Sequence, residues 1–334
     1  MCCRYYRGYF LLVCSEVIVM LNFNARRWLG ASITVLFLSA CGGRDDEGIV
    51  SAGDNSLSEA EVSSLLAIAP FLTEGAADNI VIGDGSQPVV DGNWPRFGVN
   101  TTWNWQLNGE PNLTPDADVY VLDMFAQLND KSIDALHAMG RQVICYFSAG
   151  TYEPWRPDVG LFSGFELGNT HIGFDDESWL DINDPEIVKL MINRLDMAVA
   201  IGCDGVELDN VDGFVNDTGF NLTQQDALDY TRIMANEAHK RGLAVALKNN
   251  VELVPDAVDY FDLLINEECF EYNECEGYLP IIAAGKPVFN AEYTQEHIND
   301  PVKREELCSV SRSFGFQTLF LPLALDGSFR ISCQ

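Results

Sequence analysis

Gly205-Val206-Glu207-Leu208-Asp209-Asn210-Val211-Asp212-Gly213-Phe214 begins as a strand and ends as a polar turn. Small and apolar residues lead in, and Asp209, Asn210 and Asp212 arrive where the strand should stop. A strand buried in a parallel sheet is a nearly continuous apolar run. Carboxylates at its tip are therefore costly unless they are hydrogen-bonded or engaged in chemistry. In a (β/α)8 barrel the active site is assembled from such strand ends and the loops after them. Asp-Asn and Asp-Gly are also ordinary turn dipeptides, so this stretch alone does not separate an active site from a surface turn.

Working outward, seven further apolar runs are legible. The strand candidates are Thr102–Leu107, Val119–Met124, Gln142–Ser148, Gly205–Asp209, Ala244–Lys248, Leu263–Glu267, Pro287–Ala291 and Gln317–Leu321. Helical patterns lie between them. Asp130–Met139 is followed by Gly140, Asp184–Ala200 opens with an Asp-Pro cap pair, and Thr223–Arg241 stops at Gly242. Gly277–Ala284 and Glu296–Arg312 complete the set. Eight strands alternating with helices over about 240 residues predict an α/β fold of the (β/α)8 TIM-barrel type. A doubly wound open sheet is the alternative, but no Gly-rich dinucleotide fingerprint follows the first strand.

The chain has 334 residues, 47% of them apolar and 11% aromatic, enough for one barrel-sized domain or two smaller ones. Its net charge of −30 argues against nucleic acid as a partner, because phosphate binding needs a basic face. An acidic surface can steer a cationic substrate, although solubility or adaptation to salt produces the same sign.

The first forty residues read as a separate object. Met20 to Arg27 resembles a signal-peptide n-region, and Trp28–Ala40 a short apolar segment ending in small residues. Leu38-Ser39-Ala40-Cys41 resembles the lipobox of bacterial lipoproteins, with Cys41 the lipidated mature N-terminus. Residues 1–19 have no place in that scheme, which points to Met20 as the start. The expected location is the cell envelope, lipid-anchored at the outer membrane or facing the periplasm, or secreted; the anchor is the expected membrane contact. Without residues 1–40 the chain keeps 16 basic and 49 acidic residues, so the acidity belongs to the domain. Residues 41–93 read as an acidic tether with a short helix over 58–69, and 94–334 as the catalytic domain. For the cysteines, spacing predicts Cys269–Cys275 stapling one loop and Cys308–Cys333 tying a late helix to the C-terminus. Cys145 and Cys203 sit in apolar settings and read as buried free thiols. No CxxC occurs and the four histidines are scattered, so no metal site or cofactor is expected.

A barrel would gather the strand tips into one bowl. They offer Trp103 and Trp105; Asp123; Tyr146 and Ser148, with Tyr152, Glu153, Trp155, Arg156 and Asp158 beyond; then Asp209, Asn210 and Asp212; Lys248, Asn249 and Asn250; Glu267 and Glu268; Glu292 and Tyr293. Any one acid here reads equally as a solvated loop carboxylate. Together, carboxylates and aromatic platforms are what a sugar cleft needs, two carboxyls across the scissile bond carrying the chemistry. No GxSxG occurs, and no histidine falls at a strand tip.

Several blocks resemble glycoside hydrolase family 114, the endo-α-1,4-polygalactosaminidases. They are Trp103–Gly109, Asp118–Phe125, Cys145–Asp158 (Cys-Tyr-Phe-Ser-Ala-Gly-Thr-Tyr-Glu-Pro-Trp-Arg-Pro-Asp), Trp179–Ile182, Gly205–Phe214 and Asn266–Cys275. The resemblance implies a metal-free barrel hydrolysing α-1,4-linked galactosamine polymers, with catalytic carboxylates at Asp209 and Glu267. The family usually has Glu-Gln-Cys where this chain has Glu267-Glu268-Cys269, so Glu268 is a rival for the acid; the family pattern favours Glu267. The expected mechanism is retaining, with Asp209 as nucleophile and Glu267 as acid and then base. Lys248 would keep Asp209 ionised. Asp123, Glu153, Asp158, Asp212 and Glu292 are candidates for gripping amino or hydroxyl groups, and Tyr152 and Trp155 for stacking on sugar rings. The expected partner is a cationic polysaccharide, bound by a monomer. The alternatives are a hydrolase of another α-linked amino-sugar polymer and a lipoprotein that binds polysaccharide without cleaving it.

Overall fold

The computed structural model describes residues 85–128 and 130–334 and, upstream, the backbone alone of Cys2–Tyr6, Tyr9–Cys14, Val17–Asn22 and Ile33–Leu36. Cys41, the tether with its 58–69 helix and most of the apolar segment 28–40 lie outside the described residues. Among those described, no helix is long and apolar enough to cross a membrane.

Eight parallel strands follow one another around the sheet in chain order. They are β1 (Trp103–Gln106), β2 (Val119–Asp123), β3 (Gln142–Ser148), β4 (Gly205–Asp209), β5 (Ala244–Lys248), β6 (Leu263–Glu267), β7 (Val288–Glu292) and β8 (Gln317–Phe320). All eight expected strands are present. A ninth, β9 (Ile331–Ser332), pairs antiparallel with β8. The seam between β8 and β1 is crossed without a ladder. Trp103 Nε1 donates to Gln317 O at 2.8 Å, Leu107 N to Leu325 O at 3.0 Å, and Arg330 Nη2 to Trp103 O at 2.7 Å. The curled sheet is thereby a (β/α)8 barrel.

Strand alternation sorts the side chains into two layers. Trp103, Trp105, Val121, Ile144, Ala246, Ile265, Phe289 and Leu319 point inward and fill the barrel. Their neighbours Tyr120, Leu122, Phe147, Val206, Leu208, Val245, Leu247 and Val288 point outward against the helices. Those helices are α1 (Ser132–Ala138), α2 (Pro185–Ile201), α3 (Gln224–Lys240), α4 (Val254–Ala257), α5 (Leu279–Ala283), α6 (Gln295–Asn299) and α7 (Pro301–Phe314). Asp184 caps α2 by accepting from Glu186 N, and Thr223 with Asp226 forms a capping box on α3. The single helix expected over Glu296–Arg312 is two. Pro301 has no N–H to continue the first, and Asp300 caps the second by accepting from Val302 N at 2.9 Å. Residues 85–93 are pinned to the barrel's flank, where Val89 N donates to Asn236 Oδ1 at 2.8 Å and Gly85 O accepts from Tyr260 Oη at 2.7 Å.

Cys269–Cys275 and Cys308–Cys333 are bonded as expected. Cys145 and Cys203 are not free thiols but a third disulfide. Cys145 faces outward on β3 directly beside Val206 of β4, and Cys203 lies just ahead of β4, which brings their Cα atoms to 5.9 Å. That distance suits a disulfide.

Candidate active site

Three adjacent strands end in an inward charge. Alternation along β4 points Glu207 and Asp209 inward, β5 does the same for Ala246 and Lys248, and β6 for Ile265 and Glu267. The residue after each tip leaves the ladder in the left-handed region: Asn210 at φ 58°, Asn249 at 49° and Glu268 at 59°. Asn tolerates that conformation; for Glu268 it costs about 1 kcal/mol. The turn is held by Glu268 N donating to Ala291 O at 2.8 Å.

Lys248 joins the two acids. Its Nζ lies 3.0 Å from Asp209 Oδ1 and 2.8 Å from Glu267 Oε2, so those two oxygens are at most 5.8 Å apart. Tyr146 Oη donates to Asp209 Oδ2 at 3.0 Å, and Tyr293 Oη donates to Glu267 Oε1. Asn249 Oδ1 accepts from Glu267 N at 2.9 Å. Beneath them Glu207 is wholly buried, its Oε1 3.9 Å from Lys248 Nζ, with the Trp105 indole as a neutral neighbour.

The electrostatics follow from this packing. Burial alone would push the Asp209 carboxyl up, but the Lys248 charge and hydrogen bonds from Lys248, Asn210 and Tyr146 outweigh it and hold it below the usual carboxylate range. Burial opposes the charge on Lys248 too, yet Asp209, Glu267 and Glu207 together hold its ammonium well above its ordinary value. Glu207 goes the other way: burial raises it strongly, and Lys248 offsets that only in part. With one ammonium among three carboxyls, burial of the deepest, Glu207, is the least offset.

Asp209, Lys248 and Glu267 open into a cavity of about 210 Å³, shared with Asn210, Asp212, Asn249, Asn250, His171 and Phe174. Of the other expected binding residues, only Asp212 lines it. Asp123, Glu153 and Asp158 are buried in an ion-pair network instead. Arg156 binds Asp123 Oδ2 and Glu153 Oε1, each at 2.7 Å. Arg194 of α2 binds Asp158 at 2.7 Å and donates to Ser148 O at 2.6 Å. Glu292 points outward from β7; burial raises it to about 7 while Asn290 Nδ2 and Phe270 N donate to it. Tyr152 is half-buried against Phe162, with ring centroids 5.7 Å apart. Trp155 stands 54% exposed in the loop after β3.

Sequence reasoning missed His171 and Phe174. They come from a hairpin, Thr170–His171 with Phe174–Trp179, that pairs with Thr151–Tyr152 in a small antiparallel sheet beside the barrel mouth. Its longer strand reads Phe-Asp-Asp-Glu-Ser-Trp, an acidic run with little strand character, and the apolar residues at its two ends, Phe174 and Trp179, were the available signal. Among the described residues no group of three His, Cys, Asp or Glu side chains is arranged to hold a metal ion.

The family model for glycoside-hydrolase family GH114 matches residues 85–334. Among solved structures, Ega3 of Aspergillus fumigatus, in complex with galactosamine, is 36% identical with a TM-score of 0.68, over 74% of this chain and 100% of that one. The glycoside hydrolase domain of PelA from Pseudomonas aeruginosa shares the fold at 18% identity and a TM-score of 0.53, over 69% of this chain and 98% of that one. A comparison with curated proteins gives no match.

Proposed function

The chain belongs to glycoside-hydrolase family GH114, and on that premise we propose that it hydrolyses α-1,4-linked galactosamine polymers with Asp209 and Glu267 as the reacting pair. The observation that carries the reading is the bridge from Lys248 to both carboxylates inside one cavity. Asp209, kept ionised by that ammonium, attacks the anomeric carbon while Glu267 gives its proton to the departing oxygen. The glycosyl ester on Asp209 is then opened by water, whose proton returns to Glu267. The ceiling of 5.8 Å on the oxygen separation supports this double displacement over inversion, since inverting pairs stand roughly 6.5–9.5 Å apart and retaining pairs about 5–5.5 Å.

Lys248 fits both halves of the cycle. Attack removes the negative charge from Asp209 at the moment proton transfer places one on Glu267. Because the ammonium touches both, it keeps one carboxylate counter-ion throughout and needs no reorganisation between steps.

The test is product release from deacetylated α-1,4-linked galactosamine oligomers by the protein and by Glu267→Gln. Cleavage by the first and not by the second is expected. Equal turnover by both would remove Glu267 from the chemistry, and no turnover by either would remove this substrate.

A further inference from the structure

Glu177 is a buried acid that the reaction above does not use. It sits on the longer strand of the hairpin beside the barrel mouth, where it and Trp179 are the buried residues. That strand runs antiparallel to Thr151–Tyr152, with Trp179 opposite Thr151. Across the pair, Thr151 Oγ1 donates to Glu177 Oε2 at 2.7 Å.

From there a chain of hydrogen bonds runs to the turn after Asp209. Asn210 Nδ2 donates to Ser148 Oγ at 3.0 Å and to Thr151 Oγ1 at 3.3 Å, and the two hydroxyls are bonded to each other. Thr151 N donates to Ser148 Oγ at 3.1 Å. Ser148 and Thr151 are wholly buried, so water offers neither hydroxyl another partner. Each hydroxyl has one proton to give. Thr151 gives its proton to Glu177, so Ser148 gives its own to Thr151, and Ser148 Oγ accepts from Asn210 and from Thr151 N. The carboxylate at the end sets this direction. Protonated at Oε2, Glu177 would turn the Thr151 hydroxyl back on Ser148, whose oxygen already accepts twice and whose own proton would lose its acceptor.

The other end of the chain touches the reacting group. Asn210 stands at φ 58°, and its backbone N–H donates to the Asp209 carboxylate. We propose that Glu177 is a positioning residue: its carboxylate orders Thr151 and Ser148, which hold Asn210 in the turn that keeps its N–H on Asp209. The consequence for turnover rests on the glycosidase reading above; the hold on Asn210 does not. Burial raises the Glu177 carboxyl to about 7, opposed by the hydrogen bond from Thr151, with Glu153 and Asp209 adding to the rise and Arg156 opposing it. Those are the charges facing it, Glu153 and Arg156 from the loop after β3 and Asp209 from β4. The chain therefore orders as pH rises through about 7 and reverses below it.

The experiment compares Glu177→Leu, Glu177→Gln and Thr151→Val with the parent protein on deacetylated galactosamine oligomers. Leucine leaves Thr151 without an acceptor, so kcat should fall about tenfold, the scale of one hydrogen bond to a charged group, with KM unchanged. Glutamine offers an acceptor oxygen that does not titrate. It should restore turnover relative to leucine and remove the step in kcat at about pH 7. Thr151→Val should match Glu177→Leu, and combining the two should cost no more than either alone. Full turnover in Glu177→Leu, or a step that persists in Glu177→Gln, overturns the assignment. A second readout needs no substrate: the backbone amide resonance of Asn210, followed by heteronuclear NMR, should move with a midpoint at about pH 7 in the parent and stay still in Glu177→Gln. If the parent cleaves no oligomer, the galactosamine reading falls and this resonance alone decides the role of Glu177. An Asn210 amide that ignores pH in the parent overturns it; if Glu177→Leu does not fold, the glutamine comparison and the resonance stand in its place.

Discussion

Replacing Lys248 by methionine keeps the stem's volume and removes the one cation among Glu207, Asp209 and Glu267. The lysine is 4% exposed, so water does not take over its role. Removing one partner of a buried ion pair costs about 3–5 kcal/mol, and that range is expected at neutral pH because Asp209 keeps only neutral donors. The sign of the pH dependence is fixed by the two shifts. Asp209 is depressed in the folded state, so its contribution is present above the ordinary Asp value of about 3.9 and is lost as pH falls through the depressed one. Lys248 is raised, so its contribution is complete below its unfolded value of about 10.4 and is lost only as pH climbs through the folded one. The deficit of Lys248→Met should therefore be full between about pH 5 and 9 and shrink towards pH 3 as the carboxyls protonate. Guanidinium unfolding of both proteins at neutral and acid pH measures it. In parallel, the acid limb of the activity profile should move to higher pH, because burial of Asp209 is then opposed only by the hydrogen bonds from Asn210 and Tyr146. Equal deficits at the two pH values, or none at neutral pH, would refute the charge argument.

Two further outcomes follow from the scaffold. Arg194→Met leaves Asp158 buried without its guanidinium; a loss of about 3–5 kcal/mol is expected in denaturant unfolding, and an unchanged midpoint would show that the network carries no net stability. Gly150→Ala would place a Cβ 1.7 Å from the carbonyl oxygen of Asn210; forced overpacking of this kind costs about 1–3 kcal/mol, and because Asn210 follows Asp209 the turnover number should fall with the melting temperature. A variant that loses stability but keeps full turnover would uncouple that contact from the site.

The strands were legible because a barrel strand buried on both faces is an apolar run, and helix ends such as Asp184-Pro185 and Thr223 carry their caps in the sequence. The proposed reacting pair was legible only through the family resemblance, since any one acid at a strand tip reads equally as a solvated loop carboxylate. The neighbours of the pair were not. Asp123, Glu153 and Asp158 look like substrate-facing acids until Arg156 and Arg194 are placed beside them, and Arg194 lies 36 residues beyond Asp158 in the middle of a helix. The same distance hides the Cys145–Cys203 bond, whose partners are 58 residues apart and meet only because β3 and β4 are adjacent. His171 and Phe174 escaped because attention to strand tips overlooks a hairpin folded in from the side.

The alternation that sends Glu207, Asp209, Lys248 and Glu267 inward also limits how this protein can diverge. A single-residue deletion within Val206–Asp209 would deliver Leu208 to the cavity and send a carboxylate among the helices, so every charge on that strand would be misplaced at once. Strands β4, β5 and β6 therefore tolerate substitution but not a change of length by one. Changes of length are left to the connecting segments, such as the 170–179 hairpin that brings His171 and Phe174 to the cavity.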